Sequence, residues 1–230
     1  MVFPERCLSC FEPVEGVGKL CGACFREAEF LTGLRCDSCG AGLPGEGGAV
    51  LCDECIMYPM PWARGRAAFR YDGTARKIVL SLKHADRLDA VGPLAAWMTQ
   101  SGADILEKAD LLVPVPVHWT RLVKRRYNQS VELARGISRK TGIPVKPRLL
   151  IRTRATGSQD GLTRVERFAN TATAFRANAS QTKEIKEKRI VLVDDVMTSG
   201  ATLAACSDVL LRNGATEVNV LVLARVATHS

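Results

Sequence analysis

Arg189 to Leu203 reads RIVLVDDVMTSGATL, a run that changes character twice. Ile190, Val191, Leu192 and Val193 follow one another without a polar break. Three of the four are β-branched, which suits a strand buried on both faces of a parallel sheet. Asp194 and Asp195 then stand where such a strand emerges at its carboxyl end, the edge at which open α/β sheets bind ligands. Thr198, Ser199, Gly200, Ala201 and Thr202 follow as a loop of small residues. Their backbone N–H groups and hydroxyls can converge on one anion, and a helix starting near Thr202 adds its positive dipole end. The stretch reads as a phosphate cradle with a carboxylate pair beside it.

This order of parts resembles the motif with which type I phosphoribosyltransferases bind 5-phosphoribosyl-1-pyrophosphate (PRPP). The resemblance implies that Thr198, Ser199, Gly200, Ala201 and Thr202 hold the 5-phosphate. It also implies that Asp194 and Asp195 take the ribose 2- and 3-hydroxyls and stabilise positive charge developing on the ribose during transfer. The residues alone leave open a buried strand ending in a solvated acidic turn, although adjacent acids at a strand end are costly unless something uses them.

At 230 residues the chain has room for one large or two unequal domains with a real core. Hydrophobic residues make up 47% of it, yet no apolar run approaches the roughly 20 residues that span a bilayer. The start, MVFPERCLSC, lacks the apolar region of a signal peptide. A cytoplasmic protein with no membrane span is expected. Charge is uneven: residues 1–60 hold four Lys or Arg against nine Asp or Glu, and residues 61–230 hold 28 against 15. The basic part favours polyanions, and a phosphate-rich small substrate or a nucleic acid would account for it equally, as would a solvated basic surface.

Eight of the nine cysteines form four CxxC pairs, Cys7/Cys10, Cys21/Cys24, Cys36/Cys39 and Cys52/Cys55. A two-residue gap turns both sulfurs of a pair onto one metal, and two pairs complete a tetrahedral zinc site. Disulfides fit a chain without a secretion signal poorly. Sequential sites, Cys7/Cys10/Cys21/Cys24 and Cys36/Cys39/Cys52/Cys55, are favoured by the short loops within each, and a cross-braced arrangement remains open. So little apolar material lies in residues 1–56 that this module needs its metal to fold. Cys206 stands apart, at helical spacing from Leu203 and Leu210, and reads as a small buried residue rather than a reactive thiol.

Tyr58-Pro59-Met60-Pro61 marks a boundary, giving domains of 1–58 and 62–230. Beyond it are a strand at 67–71, an amphipathic helix with Ile78 and Leu82 on one face, and a polar cluster around Lys83 and His84. A second helix spans 92–100. DLLVPVPV, residues 110–117, is a buried strand running into a proline-stiffened loop. His118, Arg121, Lys124, Arg125, Arg126, Tyr127, Asn128 and Gln129 follow. Four cations in six residues ahead of Asn-Gln at a helix start suit a pyrophosphate, and an exposed basic turn is the alternative. The next helix, 129–140, stops at Gly142. Residues 152–170 hold Arg152, Arg154, Thr156, Gln159, Thr163, Arg164, Arg167 and Asn170, with Gly157 and Gly161 as hinges. Such a segment suits a lid that keeps water from an electron-poor ribose and brings cations to the leaving group, or an ordinary surface excursion.

The four knuckles, VPVP, the basic run into YNQ, TGSQDGLTRVERFANTATAF and the PRPP motif together resemble the ComF family over essentially the whole chain. In that family the basic turn reads Arg-Gly-Phe-Asn-Gln, and here Arg126 and Tyr127 take the Gly and Phe positions. The resemblance implies a type I phosphoribosyltransferase parallel sheet flanked by helices, with a small N-terminal double zinc-ribbon module. It implies two structural zinc ions and magnesium bound with PRPP. Asp194, Asp195, Arg126 and Arg164 become the catalytic candidates, and Lys83, Arg125, Asn128 and Gln129 join the acids and the small-residue loop as PRPP-binding candidates. The expected reaction is phosphoribosyl transfer to a nitrogen acceptor, and the alternative is a role in DNA uptake. In that alternative a non-catalytic protein binds single-stranded DNA or a competence helicase, although the ribbons are acidic and only 6% of residues are aromatic.

Overall fold

The computed structural model describes residues 5–16, 19–84, 87–120, 122, 127–156 and 161–226. Two short helices, α1 (Gly22–Glu27) and α2 (Asp53–Met57), belong to the cysteine-rich region. Then come β1 (Gly65–Arg70), α3 (Gly73–His84), α4 (Val91–Ser101), α5 (Ala103–Leu106) and β2 (Leu111–Pro114). The chain continues through α6 (Gln129–Thr141), β3 (Leu150–Arg152), α7 (Arg164–Thr171) and β4 (Phe175–Ala177). It ends with β5 (Arg189–Met197), α8 (Ala201–Arg212) and β6 (Glu217–Arg225).

β1, β6, β5 and β2 form a parallel sheet in that order, and β3 pairs with β4 as a separate antiparallel hairpin. The apolar run of β5 lies at its centre. Ile190 and Leu192 point to one face with Val218, Val220 and Val222, where α8, the β3–β4 hairpin and the second cysteine cluster pack. Val191 and Val193 point to the other with Leu221 and Leu223, against α3, α4 and α6. A period of two in a strand with no exposed face requires this unbroken apolar composition. Ile78 and Leu82 of α3 are fully buried as their spacing predicts, and α6 stops at Gly142 in the left-handed region at φ 76°.

β5 runs further than its apolar residues predict, through both acids to Met197. The reason is its partner: β6 extends to Arg225, so the ladder satisfies backbone groups up to the pair Met197 and Arg225. A helix also occupies part of the polar 152–170 segment. α7 begins at a capping box in which Thr163 accepts from the Glu166 N–H and Glu166 accepts from the Thr163 N–H.

The cysteine-rich region is fused to the sheet rather than strung beside it. Leu31 N–H donates to the Ala68 carbonyl at 3.0 Å and Arg70 N–H to Glu29 at 2.9 Å, covering the outer edge of β1. Phe30 packs between Phe69 and Trp97. Cys36, Cys39 and Cys55 are buried in the same core as α8 and Trp62. Gly65 at the start of β1 is pressed onto the Ser38 carbonyl, where a Cβ would collide. Arg66, 5% exposed, links the two parts by ion pairs of 2.6 Å to both Asp37 and Asp104. No described helix is long and apolar enough to cross a membrane.

Candidate functional site

The carboxyl end of β5 opens where β2 leaves it. Pairing with β2 ends at Pro114 opposite Val193, whereas β6 stays with β5 to Met197. Asp194 and Asp195, both half-buried, therefore stand at a step in the sheet, the position where parallel sheets admit ligands. Ser130 Oγ in the first turn of α6 donates to Asp194 Oδ1 at 2.8 Å, and the Asp195 N–H donates to the same oxygen at 2.9 Å. Sequence reading passes over Ser130, because nothing local marks a helix serine that meets a carboxylate 64 residues away.

Asn128 serves as the N-cap of α6. Its side-chain oxygen accepts from the Ser130 N–H at 3.0 Å, and its amide nitrogen donates to the Val115 carbonyl at 3.0 Å. One residue thereby ties the end of β2 to the helix that meets Asp194. Gln129 is 2% exposed, and its amide nitrogen has no hydrogen-bond partner among the described residues. The Lys83 side chain, Arg125 and Arg126 lie outside the described residues, as do Gly157 and Gln159.

The small-residue loop turns directly into α8. Gly200 is its N-cap at φ 81°, ψ −1°, and has no side chain to cap the helix, while Ser199 Oγ accepts from the Ala201 N–H at 3.4 Å. The other first-turn N–H groups, which the N-cap glycine cannot meet, are left for a ligand, with the dipole favouring an anion. Thr198 is exposed, Ser199 and Thr202 are half-buried, and Gly200 and Ala201 are buried. The loop's hydroxyls and amides thus sit next to the acid pair as the linear order requires.

In the 152–170 segment the cations divide. Arg154 Nη2 donates to the Asn170 carbonyl at 2.8 Å and Arg167 Nε to the Leu162 carbonyl at 3.0 Å, so both brace the segment itself. Arg152 donates to Thr156. Arg164 instead reaches the small-residue loop, with Nη1 3.4 Å from the Ser199 carbonyl and 2.5 Å from Glu54 Oε1. The capping box Thr163-Val165-Glu166 region, legible as Thr-x-x-Glu, was the signal that positions Arg164 at the start of a helix.

The cysteines pair sequentially. Cys7, Cys10, Cys21 and Cys24 form one cluster and Cys36, Cys39, Cys52 and Cys55 the other, with the sulfurs of each within 4.8 Å of one another. Cys10 and Cys21 sulfurs lie 3.6 Å apart and Cys39 and Cys52 sulfurs 3.8 Å apart. Tetrahedral zinc with bonds of about 2.3 Å places sulfurs at about 3.8 Å, so both clusters fit the ion. The two share a further detail: Cys21 N–H meets Cys7 Sγ and Cys52 N–H meets Cys36 Sγ, each at 3.3 Å. Burial pushes the Cys7 thiol up, but N–H groups of Cys10, Cys21 and Ser9 outweigh it and lower it to about 6. Hydrogen bonds from the Cys39 and Cys55 thiols hold Cys36 far below the usual thiol range. One cysteine of each cluster, Cys7 in the first and Cys36 in the second, thus favours the thiolate, the form that ligates zinc. Cys206 is fully buried, and burial pushes its thiol well up, away from reactivity.

Residues 1–56 match the double zinc ribbon domain family, and residues 88–229 match the phosphoribosyl transferase domain family. The chain is 30% identical over 98% of its length to the DNA utilization protein YhgH of Escherichia coli K12, covering 99% of that protein. It is 28% identical over 97% of its length to competence protein F of Haemophilus influenzae, covering 98% of it. Among solved structures, a glutamine PRPP amidotransferase from B. subtilis is 24% identical over 62% of this chain and 30% of its own, with a TM-score of 0.38. Two domain matches in this order, with relatives aligned from end to end, place the chain in the ComF family of proteins that join a double zinc ribbon to a phosphoribosyltransferase domain.

Proposed function

We propose that the protein binds PRPP and transfers its phosphoribosyl group to a nitrogen acceptor. The observation that supports this best is the juxtaposition of an acid pair at the sheet step with a small-residue loop that begins three residues further on and runs into the start of α8. In this reading the backbone of Thr198, Ser199, Gly200, Ala201 and Thr202 takes the 5-phosphate, where the α8 dipole favours it. Asp194 and Asp195 take the ribose hydroxyls, and their charge stabilises the cationic ribose of the transition state. Ser130 keeps Asp194 oriented, and Arg164 adds a cation at the rim. Magnesium would supply charge neutralisation for the pyrophosphate, held by the oxygen donors it prefers, those of the substrate and of the acid pair.

Calorimetric titration of PRPP with magnesium into the wild type and into Asp194→Asn/Asp195→Asn tests the reading. Binding that the double substitution abolishes supports the assignment of the ribose to the acid pair. No binding in folded, zinc-loaded protein removes it.

A second reading, a DNA-handling protein of competence, is favoured by the names of the relatives and by the excess of cations in residues 61–230. In that case single-stranded DNA or a helicase is the partner. A salt-dependent affinity for single-stranded DNA that survives loss of Asp194 and Asp195 would support it.

A further inference from the structure

We infer that the second zinc ribbon is part of the phosphate end of the site, and that Glu54, on α2 between the zinc ligands Cys52 and Cys55, is the positioning residue through which it acts. The inference rests on reading Thr198 to Thr202 as the phosphate loop. Three separate contacts from the ribbon and its exit segment converge there.

The first is Glu54 itself. Its Oε1 lies 2.5 Å from Arg164 Nη1 and its Oε2 lies 3.6 Å from Arg225 Nη2. Both guanidinium groups also hold the loop backbone: Arg164 Nη1 lies 3.4 Å from the Ser199 carbonyl, and Arg225 Nη1 donates to the Thr198 carbonyl at 2.6 Å. The second contact is a stacking one, with the Arg164 guanidinium 4.9 Å from the Tyr58 ring. The third is steric. A Cβ on Gly200 would lie 3.0 Å from the Trp62 ring, so the residue that turns the loop into α8 rests on the ribbon's exit segment.

Burial gives these contacts their weight. Arg225 is 2% exposed and its Nε has no hydrogen-bond partner among the described residues, so Glu54 is the carboxylate that its buried charge relies on. Two guanidinium groups, those of Arg164 and Arg225, share this one carboxylate while each reaches a carbonyl of the loop. Holding both cations in place fixes the backbone of the loop, whose helix-start N–H groups favour an anion. Glu54 can hold this arrangement only while α2 is in place, and α2 is a short helix tied to the cluster by its N-cap Cys52 and its central residue Cys55. The cluster Cys36/Cys39/Cys52/Cys55 is therefore mechanically continuous with the phosphate loop, whereas none of these contacts comes from the first cluster.

The test uses the full-length, zinc-loaded protein with Glu54→Gln, Glu54→Asp and Tyr58→Leu, the last removing the stacking partner at a half-exposed position. Two quantities are read: amide hydrogen exchange at residues 199–204 without ligand, and calorimetric affinity for PRPP with magnesium. Glu54→Gln is expected to speed exchange in the loop and to weaken PRPP by about tenfold, with zinc content unchanged. Glu54→Asp, which keeps the charge, is expected to recover part of both, and Tyr58→Leu to produce a smaller loss of affinity. Unchanged loop exchange together with unchanged or tighter PRPP binding in Glu54→Gln overturns the inference. If Glu54→Gln does not fold, unchanged values in Tyr58→Leu and Glu54→Asp overturn it. A wild type that does not bind PRPP removes the PRPP reading instead, and loop exchange alone then decides whether the ribbon controls the loop.

Discussion

Ser130 Oγ donates to Asp194 Oδ1 at 2.8 Å, joining the first turn of α6 to the strand that carries the acid pair. Ser130 is buried, so this hydroxyl has no water to replace its partner. Ser130→Ala is expected to cost about 1 kcal/mol of stability and to weaken PRPP by roughly three- to tenfold, since Asp194 loses its orienting donor. Thermal unfolding and calorimetry check the two halves. An affinity equal to wild type would mean that Asp194 needs no such support.

Gly200 is expected to resist substitution for two reasons that act together. Its φ of 81° strains any residue with a Cβ, and that Cβ would press on Trp62 at 3.0 Å. Gly200→Ala should lose about 1–3 kcal/mol and most of the affinity for PRPP, whereas Gly142→Ala, at a similar φ but with open space around it, should lose stability alone. Denaturant unfolding and PRPP titration separate the cases.

The two cysteine clusters are expected to differ in consequence. Cys10 is exposed, whereas Cys39 is fully buried within the core beneath the sheet. Metal analysis should find about two zinc ions per chain and about one in either Cys10→Ser or Cys39→Ser. Cys39→Ser should also collapse the cooperative unfolding of the α/β core, and Cys10→Ser should leave it largely intact. Equal loss in both variants would contradict the shared core.

Arg66 offers a pH-dependent check. Burial pushes Asp104 up, but hydrogen bonds and charge from Arg66 outweigh it and hold it below the usual carboxylate range. A depressed carboxylate stabilises the fold fully above its unfolded value, near about 3.9, and loses that contribution as pH falls through its folded value. Arg66→Met should cost about 1–3 kcal/mol at neutral pH, because Asp37 and Asp104 lose their buried partner while solvent and Arg64, at 3.5 and 3.7 Å, compensate them in part. It should also flatten the acid limb of stability below about pH 4, measured by urea unfolding at each pH.

Much of the site was legible because it is local in sequence. The strand, the acid pair, the small-residue loop and the helix after it are consecutive, so their order in the chain is their order in space. CxxC spacing likewise confines each pair of sulfurs to one metal. Asn128 was legible as a residue at a helix start, but its role as the cap joining α6 to Val115 required the end of β2 to be placed beside it. The helix in the 152–170 segment was signalled by Thr163 and Glu166, though polar composition obscured it.

What the sequence determined by itself was the kind of each part: a parallel-sheet strand ending in an acid pair and a small-residue loop, and four CxxC knuckles in front. Periodicity and short spacing specify those, since they depend on neighbours within a few residues. Tertiary structure alone decided that the knuckles pair in sequence, that β5 runs on through the acids because β6 continues beside it, and that Glu54 meets Arg164 and Arg225. These contacts join residues 110 or more positions apart in the case of Glu54 and Arg164. No local pattern encodes such a meeting, because it is the burial of both sheet faces that folds the second ribbon against the small-residue loop.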